Sequence, residues 1–271
     1  MISVRRRFLI PAIAAMVLGI AGCAQLDPYT PTVGQPGKDV VWVPTPQPLI
    51  DRMLDMAQLT PEDRLVDLGS GDGRLVITAA QRGASARGIE FNPDLVELSR
   101  REARAQGVAN RVSFEQADIF ESDFSDATVV TLFLLPTLNT RLRPILFDMQ
   151  PGTRIVTNTF NLGDWQPDET AHLANGCTSY CRALMWVVPA KVAGTWEFDG
   201  RELDLEQNFQ VLAGALREGA LRHPITDARL DGTRVQFSID GAQYLGEVDG
   251  DTMQGTIDGE RPWRATRIRT S

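Results

Sequence analysis

Hydrophobic positions along this chain follow two periods, and the change between them comes near residue 192. In the first part, short apolar runs that read as buried strands alternate with longer segments of helical character. Val66-Asp67-Leu68 runs into a Gly-rich turn, and the apolar segment Leu75–Ala80 beyond it reads as a helix. Gly88-Ile89-Glu90 closes a second short strand, and residues 112–120 read as a third with Asp118 at its end. Residues 127–135 (ATVVTLFLL) are almost continuously apolar, as a central parallel strand buried on both faces requires. A Leu-rich helix around 138–149 and a strand over 152–158 continue the pattern. Strand and helix alternating from residue 47 to about 190 predict a Rossmann-like, doubly wound α/β sheet with its ligand at the carboxyl ends of the strands.

From Val192 onward the period becomes two. Asp-Gly pairs stand at 199–200, 231–232, 240–241, 249–250 and 258–259, with alternating stretches such as Val235/Phe237/Ile239 between them. Asp-Gly flanked by such alternation is a strong hairpin signal. Six to eight antiparallel strands are expected over about 193–269, forming a small all-β meander or barrel. Gly194-Thr195-Trp196 at its start resembles the G-x-W opening of lipocalin-type barrels. A barrel this small is expected to be filled by its own side chains, in preference to holding an apolar ligand.

The candidate chemistry lies at the first strand–helix turn, Asp67-Leu68-Gly69-Ser70-Gly71-Asp72-Gly73-Arg74. The glycines admit positive φ and let backbone approach a ligand, and the helix that follows offers free N–H groups at its start. Glu90, at the end of the next strand, is placed to accept both hydroxyls of a ribose. A dinucleotide site would use G-x-G-x-x-G, whereas the spacing here is G-x-G-x-G. Asp67 and Asp72 would repel a pyrophosphate but suit a ligand carrying an ammonium and a sulfonium.

This run resembles motif I of the class I, seven-strand methyltransferases that use S-adenosylmethionine. Val43-Pro44-Thr45-Pro46, the Phe91-Asn92-Pro93 after Glu90, and Phe133-Leu134-Leu135-Pro136 narrow the resemblance to non-SET protein-lysine methyltransferases over roughly residues 41–165. The resemblance implies that Asp67 and the turn Gly69, Ser70, Gly71, Asp72 and Gly73 hold the methionine portion, and that Glu90 holds the ribose. It places Asp118 on the adenine amino group with Ile119 against the ring, and Leu135 and Pro136 along the methyl-transfer channel. Thr45 would close over the cofactor. Residues 133–136 differ from the N-P-P-Y type that grips a planar amide or base nitrogen, which argues against adenine or glutamine as acceptor. No side chain stands out as a general base, so the catalytic residue is left unassigned, as is the oligomeric state.

The amino-terminal region reads as targeting. Arg5-Arg6-Arg7, an apolar stretch from Phe8 to Ile20, and Ile20-Ala21-Gly22-Cys23 form a lipoprotein signal peptide over 1–22 with Cys23 as the acylated residue. The arginines also resemble the start of a twin-arginine signal, and an ordinary basic region explains them equally. Residues 23–40, rich in Pro, Gly and polar side chains, are expected to be a flexible tether. The methyltransferase domain is expected over 41–190 and the β domain over 191–271. These features place the chain in a bacterial cell envelope, held to the membrane by Cys23 and facing the periplasm, at the outer membrane if the cell is Gram-negative. Cleavage removes three of the 27 basic residues and no acid, leaving 24 against 35 acidic and a net charge of −11. Such a surface repels nucleic acid and leaves a protein as the expected partner. In an oxidising compartment Cys177 and Cys181 are expected to pair, in preference to free thiols or a metal site. Because the cofactor is made in the cytoplasm, an alternative function is a lipid-anchored binding or structural protein on a methyltransferase fold without turnover.

Overall fold

The structure is a computed structural model that describes residues 29–269; the signal peptide and Cys23 lie outside them. Helix α1 (Gln47–Met56) starts after Pro46 and carries Pro48 in its first turn, where a missing N–H costs no intrahelical bond. Its Leu49, Ile50, Met53 and Leu54 are buried on the sheet. Then come β1 (Arg64–Leu68), α2 (Arg74–Gln81), β2 (Ser85–Glu90), α3 (Pro93–Ala105), β3 (Val112–Gln116), β4 (Val129–Leu132), α4 (Pro136–Phe147) and β5 (Arg154–Asn158). These five strands are parallel, in the order β3-β2-β1-β4-β5. Every residue of the apolar β4 is buried, as a strand covered on both faces must be. The third strand stops at Gln116, short of the expected Asp118, because the Asp118 carboxylate turns back to accept the Phe120 amide at 2.9 Å.

The expected alternation also ends at β5. Strands β6 (Glu169–His172) and β7 (Arg182–Val187) follow with no helix between, and β7 lies antiparallel between β5 and β6. Gly163 at positive φ and Pro167 break residues 159–168 into turns. The completed sheet has seven strands, β3-β2-β1-β4-β5-β7-β6. Cys177 and Cys181, in the loop joining β6 to β7, form a disulfide with their Cα atoms 5.6 Å apart.

The second half is a closed antiparallel barrel. Its strands are β8 (Gly194–Phe198), β9 (Arg201–Asn208), β10 (Val211–Glu218), β11 (Leu221–Asp231), β12 (Arg234–Ile239), β13 (Ala242–Asp249), β14 (Thr252–Ile257) and β15 (Arg261–Arg269), with β15 pairing to β8. Closure removes the exposed edges that an open meander would leave. Trp196, Phe198, Phe237, Tyr244 and Trp263 occupy the interior, with the Phe237 and Tyr244 rings stacked 4.9 Å apart.

The barrel docks on the sheet through the turn between β9 and β10. Phe209 stacks on Trp165 with ring centroids 5.4 Å apart. Buried Gln210 accepts from Trp165 Nε1 at 2.9 Å and donates to Gln166 O at 2.8 Å and Asp168 Oδ1 at 3.2 Å. Arg229 on β11 pairs with the same carboxylate.

Candidate active site

A cavity of about 470 Å³ opens at the carboxyl ends of β1, β2 and β4. The turn after β1 forms its floor. Gly71 has φ +55°, and a Cβ there would stand 2.8 Å from the Trp42 indole nitrogen, so this close approach admits only glycine. Glu90 ties the turn to the next strand: Oε2 accepts the Gly71 amide and Oε1 the Asn92 amide, each at 2.9 Å.

Asp67 lies at the bottom of the cavity, 6% exposed, and accepts the Thr131 hydroxyl at 2.7 Å. Burial pushes its carboxyl up to about 7, and the nearby Glu90 and Asp72 add to that while the Thr131 hydrogen bond opposes it. Asp118, across the cavity mouth, accepts from Lys38 Nζ at 2.5 Å, and this bond above all holds its carboxyl below the usual range. Lys38 also sits 4.6 Å from the Phe91 ring centroid. Asp72 is gripped by Arg74, whose Nη2 lies 2.6 Å from Oδ2. Its charge is therefore largely offset, unlike that of Asp67.

Of the residues singled out in the sequence, Thr45, Asp67, Gly69, Ser70, Gly71, Asp72, Glu90, Asp118, Ile119 and Leu135 all border the cavity. Gly73 and Pro136 do not. Gly73 caps α2 with φ +78°, where a Cβ would collide with Ser99 and Phe114, so its role is close packing of the helix against its neighbours. Pro136 is the first residue of α4 and serves as a helix start. Thr45 is buried, its hydroxyl accepting from Asn158 Nδ2 at 3.2 Å and its carbonyl from Arg74 at 3.3 Å.

The segment expected as a tether contributes a wall instead. Residues 34–42 fold back as a turn, with Gly34 N donating to Trp42 O at 2.8 Å and Trp42 N to Gln35 O at 3.0 Å. Lys38 and Trp42 line the cavity. The Pro- and Gly-rich stretch up to residue 40, Lys38 included, read as a linker because the Asp118 carboxylate that Lys38 meets lies 80 residues on. Phe133, noticed in the sequence only as part of the 133–136 motif, also lines it, as do Phe160 and Tyr180, which were not singled out; only their being aromatic near strand ends could have drawn attention to those two.

Residues 67–169 match the family described as the ANTKMT methyltransferase domain. The chain is 39% identical over 140 residues to a protein-lysine N-methyltransferase of Saccharolobus islandicus, spanning 51% of this chain and 87% of that protein. The chain belongs to the class I S-adenosylmethionine-dependent methyltransferases. The methyltransferase is also 33% identical over 161 residues to a Rattus norvegicus lysine N-methyltransferase named for a component of ATP synthase, spanning 57% of this chain and 74% of that protein. A solved structure described as an RNA methyltransferase from Salinibacter ruber in complex with S-adenosyl-L-homocysteine is 49% identical, with a TM-score of 0.52. It covers 55% of this chain and 96% of that chain.

The cavity of this methyltransferase fits its cofactor, S-adenosylmethionine. A buried, high-pKa carboxylate at Asp67 suits an ammonium group. The Ser70 hydroxyl is buried in the cavity wall without a hydrogen-bond partner, leaving a polar atom for a ligand to satisfy. Gly69 and Gly71 take positive φ and let Leu134 and Trp42 close on the turn where a Cβ would collide with them. Glu90 and Asp118, the carboxylates expected for ribose and adenine, both border the cavity, with Ile119 and Leu138 as apolar wall.

Proposed function

We propose that this methyltransferase acts on the ε-amine of lysine in a protein of the bacterial envelope. The observation that carries the acceptor class is the identity with the two lysine N-methyltransferases, each covered over more than two thirds of its length. The name given to the Salinibacter ruber enzyme favours RNA instead. Against RNA stands the excess of 35 acidic over 27 basic side chains, which repels a polyanion. The disulfide supports an oxidising compartment.

The cofactor supplies an electrophilic methyl group on its sulfonium. Asp67 would hold the ammonium end, Glu90 the ribose hydroxyls and Asp118 the adenine edge, so the chain's contribution is alignment. The apolar wall from Leu132 to Leu135 excludes water on the acceptor side. A lysine attacks as the neutral amine, its ammonium having given its proton to bulk water before the side chain enters the dry site, so alignment and dryness suffice without a dedicated base.

The test is transfer of labelled methyl from S-adenosylmethionine by the purified chain to envelope protein and, separately, to total RNA. Label in protein that hydrolyses to methyl-lysines is expected. Label confined to RNA would replace the lysine reading, and cofactor binding with no transfer to either would favour the binding-protein alternative.

A further inference from the structure

The cavity has two sides, divided by β1. Toward β2 and β3 stand the carboxylates Glu90 and Asp118. Toward β4, β5 and β7 stand three aromatic rings: Phe133 just after β4, Phe160 after β5 and Tyr180 just before β7. The Phe133 and Phe160 rings are 6.2 Å apart at an interplanar angle of 20°, and Tyr180 meets Phe133 at 5.2 Å and 61°. Tyr180 lies 6.0 Å from Phe160, which completes a three-sided group. Packed aromatic clusters normally close on themselves in a core. This one opens into the cavity, and Tyr180 remains 41% exposed.

Tyr180 has φ +56°, a left-handed conformation that a bulky side chain seldom adopts. The residue beside it, Cys181, is joined to Cys177, and Cys181 O accepts the Leu173 amide at 2.9 Å. Gly176, at the other end of the loop, packs so near Pro48 that a Cβ would come within 3.3 Å of the ring. The loop is thus closed on itself and set against the start of α1. The strained backbone and the crosslink together fix one ring at the mouth of the site.

We propose that Phe133, Phe160 and Tyr180 form the subsite for the acceptor lysine side chain, and that the Cys177–Cys181 disulfide is the device that positions Tyr180 in it. This rests on the lysine reading above. Ring faces pack against the methylenes of a lysine stem and attract its charged or methylated head. The subsite is continuous with the cofactor cavity, and the acidic balance of the chain favours a cationic guest.

The experiment uses the full chain and two ligands: S-adenosyl-L-homocysteine, and an analogue in which nitrogen replaces the sulfur and carries an aminobutyl arm in place of the methyl. Calorimetry on wild type should show tighter binding of the armed analogue. Tyr180→Ala and the double variant Cys177→Ser/Cys181→Ser should each lose about tenfold of that preference, the scale of a cation–π contact. Their affinity for S-adenosyl-L-homocysteine should stay within about twofold of wild type, and Tyr180→Phe should keep the preference because the ring remains. An armed preference that survives Tyr180→Ala overturns this inference alone. Wild type that binds S-adenosyl-L-homocysteine but gains nothing from the arm overturns both it and the lysine reading. Should the cysteine variant fail to fold, the Tyr180→Ala and Tyr180→Phe pair still decides.

Discussion

Asp67 holds its proton up to about pH 7 because it is buried beside two other acids, and two pH effects follow. The folded state binds this proton more tightly than the unfolded chain, whose carboxyl titrates near 3.8. The ligand-free protein should therefore lose stability as pH rises from about 4 to 7, a fall that denaturant titration at several pH values will show. A ligand ammonium favours the ionised carboxylate. Affinity for S-adenosylmethionine should accordingly rise with pH up to about 7 and be coupled to proton release, seen as a binding heat that varies with the buffer's ionisation enthalpy. Asp67→Asn should abolish the proton release and weaken binding by about 1.5–3 kcal/mol, the worth of a hydrogen bond to a charged group. Asp67, Glu90 and Asp118, which all border the cavity, were legible because each stands at or just beyond the carboxyl end of a strand, where local geometry fixes the spacing. Their partners were not: Thr131 reaches Asp67 from 64 residues away and Lys38 reaches Asp118 from 80.

Among the elements, the turn over 34–42 and the hairpin turn at Phe209-Gln210 decide how the chain is put together. Trp42 covers the Gly71 backbone at the cavity floor. Trp42→Ala should leave the protein folded while reducing cofactor affinity about tenfold, through loss of an aromatic wall of the kind that contributes about 0.5–1.5 kcal/mol in ring contacts beyond the area it buries. Equilibrium binding, with circular dichroism as the folding control, measures it. Gln210→Ala leaves Trp165 Nε1 without its acceptor in a buried interface and should cost about 1–3 kcal/mol. It is also expected to split a single unfolding transition into two as barrel and sheet uncouple, which calorimetry resolves. Strand and helix identities were readable from period and turn residues. The helix-free stretch after β5 was not, since only pairing with β5 and β6 makes β7 antiparallel there.

For the whole molecule, an enzyme sheet and a filled barrel are joined in one chain, and the family match over 67–169 ends before the barrel begins. A membrane anchor would come from Cys23, outside the described residues. Cys23→Ser is expected to move the protein from the membrane fraction to the soluble fraction of gently lysed cells, and retention in the membrane would count against lipidation. The two fold types, their order and the cofactor class were determined by the sequence itself. Strand period, Asp-Gly turns and the Gly-rich motif with its downstream acid are local patterns, fixed by backbone sterics within a few residues. Tertiary structure alone decided that Lys38 and Trp42 wall the site, that three rings from three strand ends meet beside β1, and that Gln210 locks barrel to sheet. The partners in those contacts lie far apart in sequence, 45 residues for Trp165 and Gln210 and 80 for Lys38 and Asp118, and only the packing of the buried core brings them within contact distance.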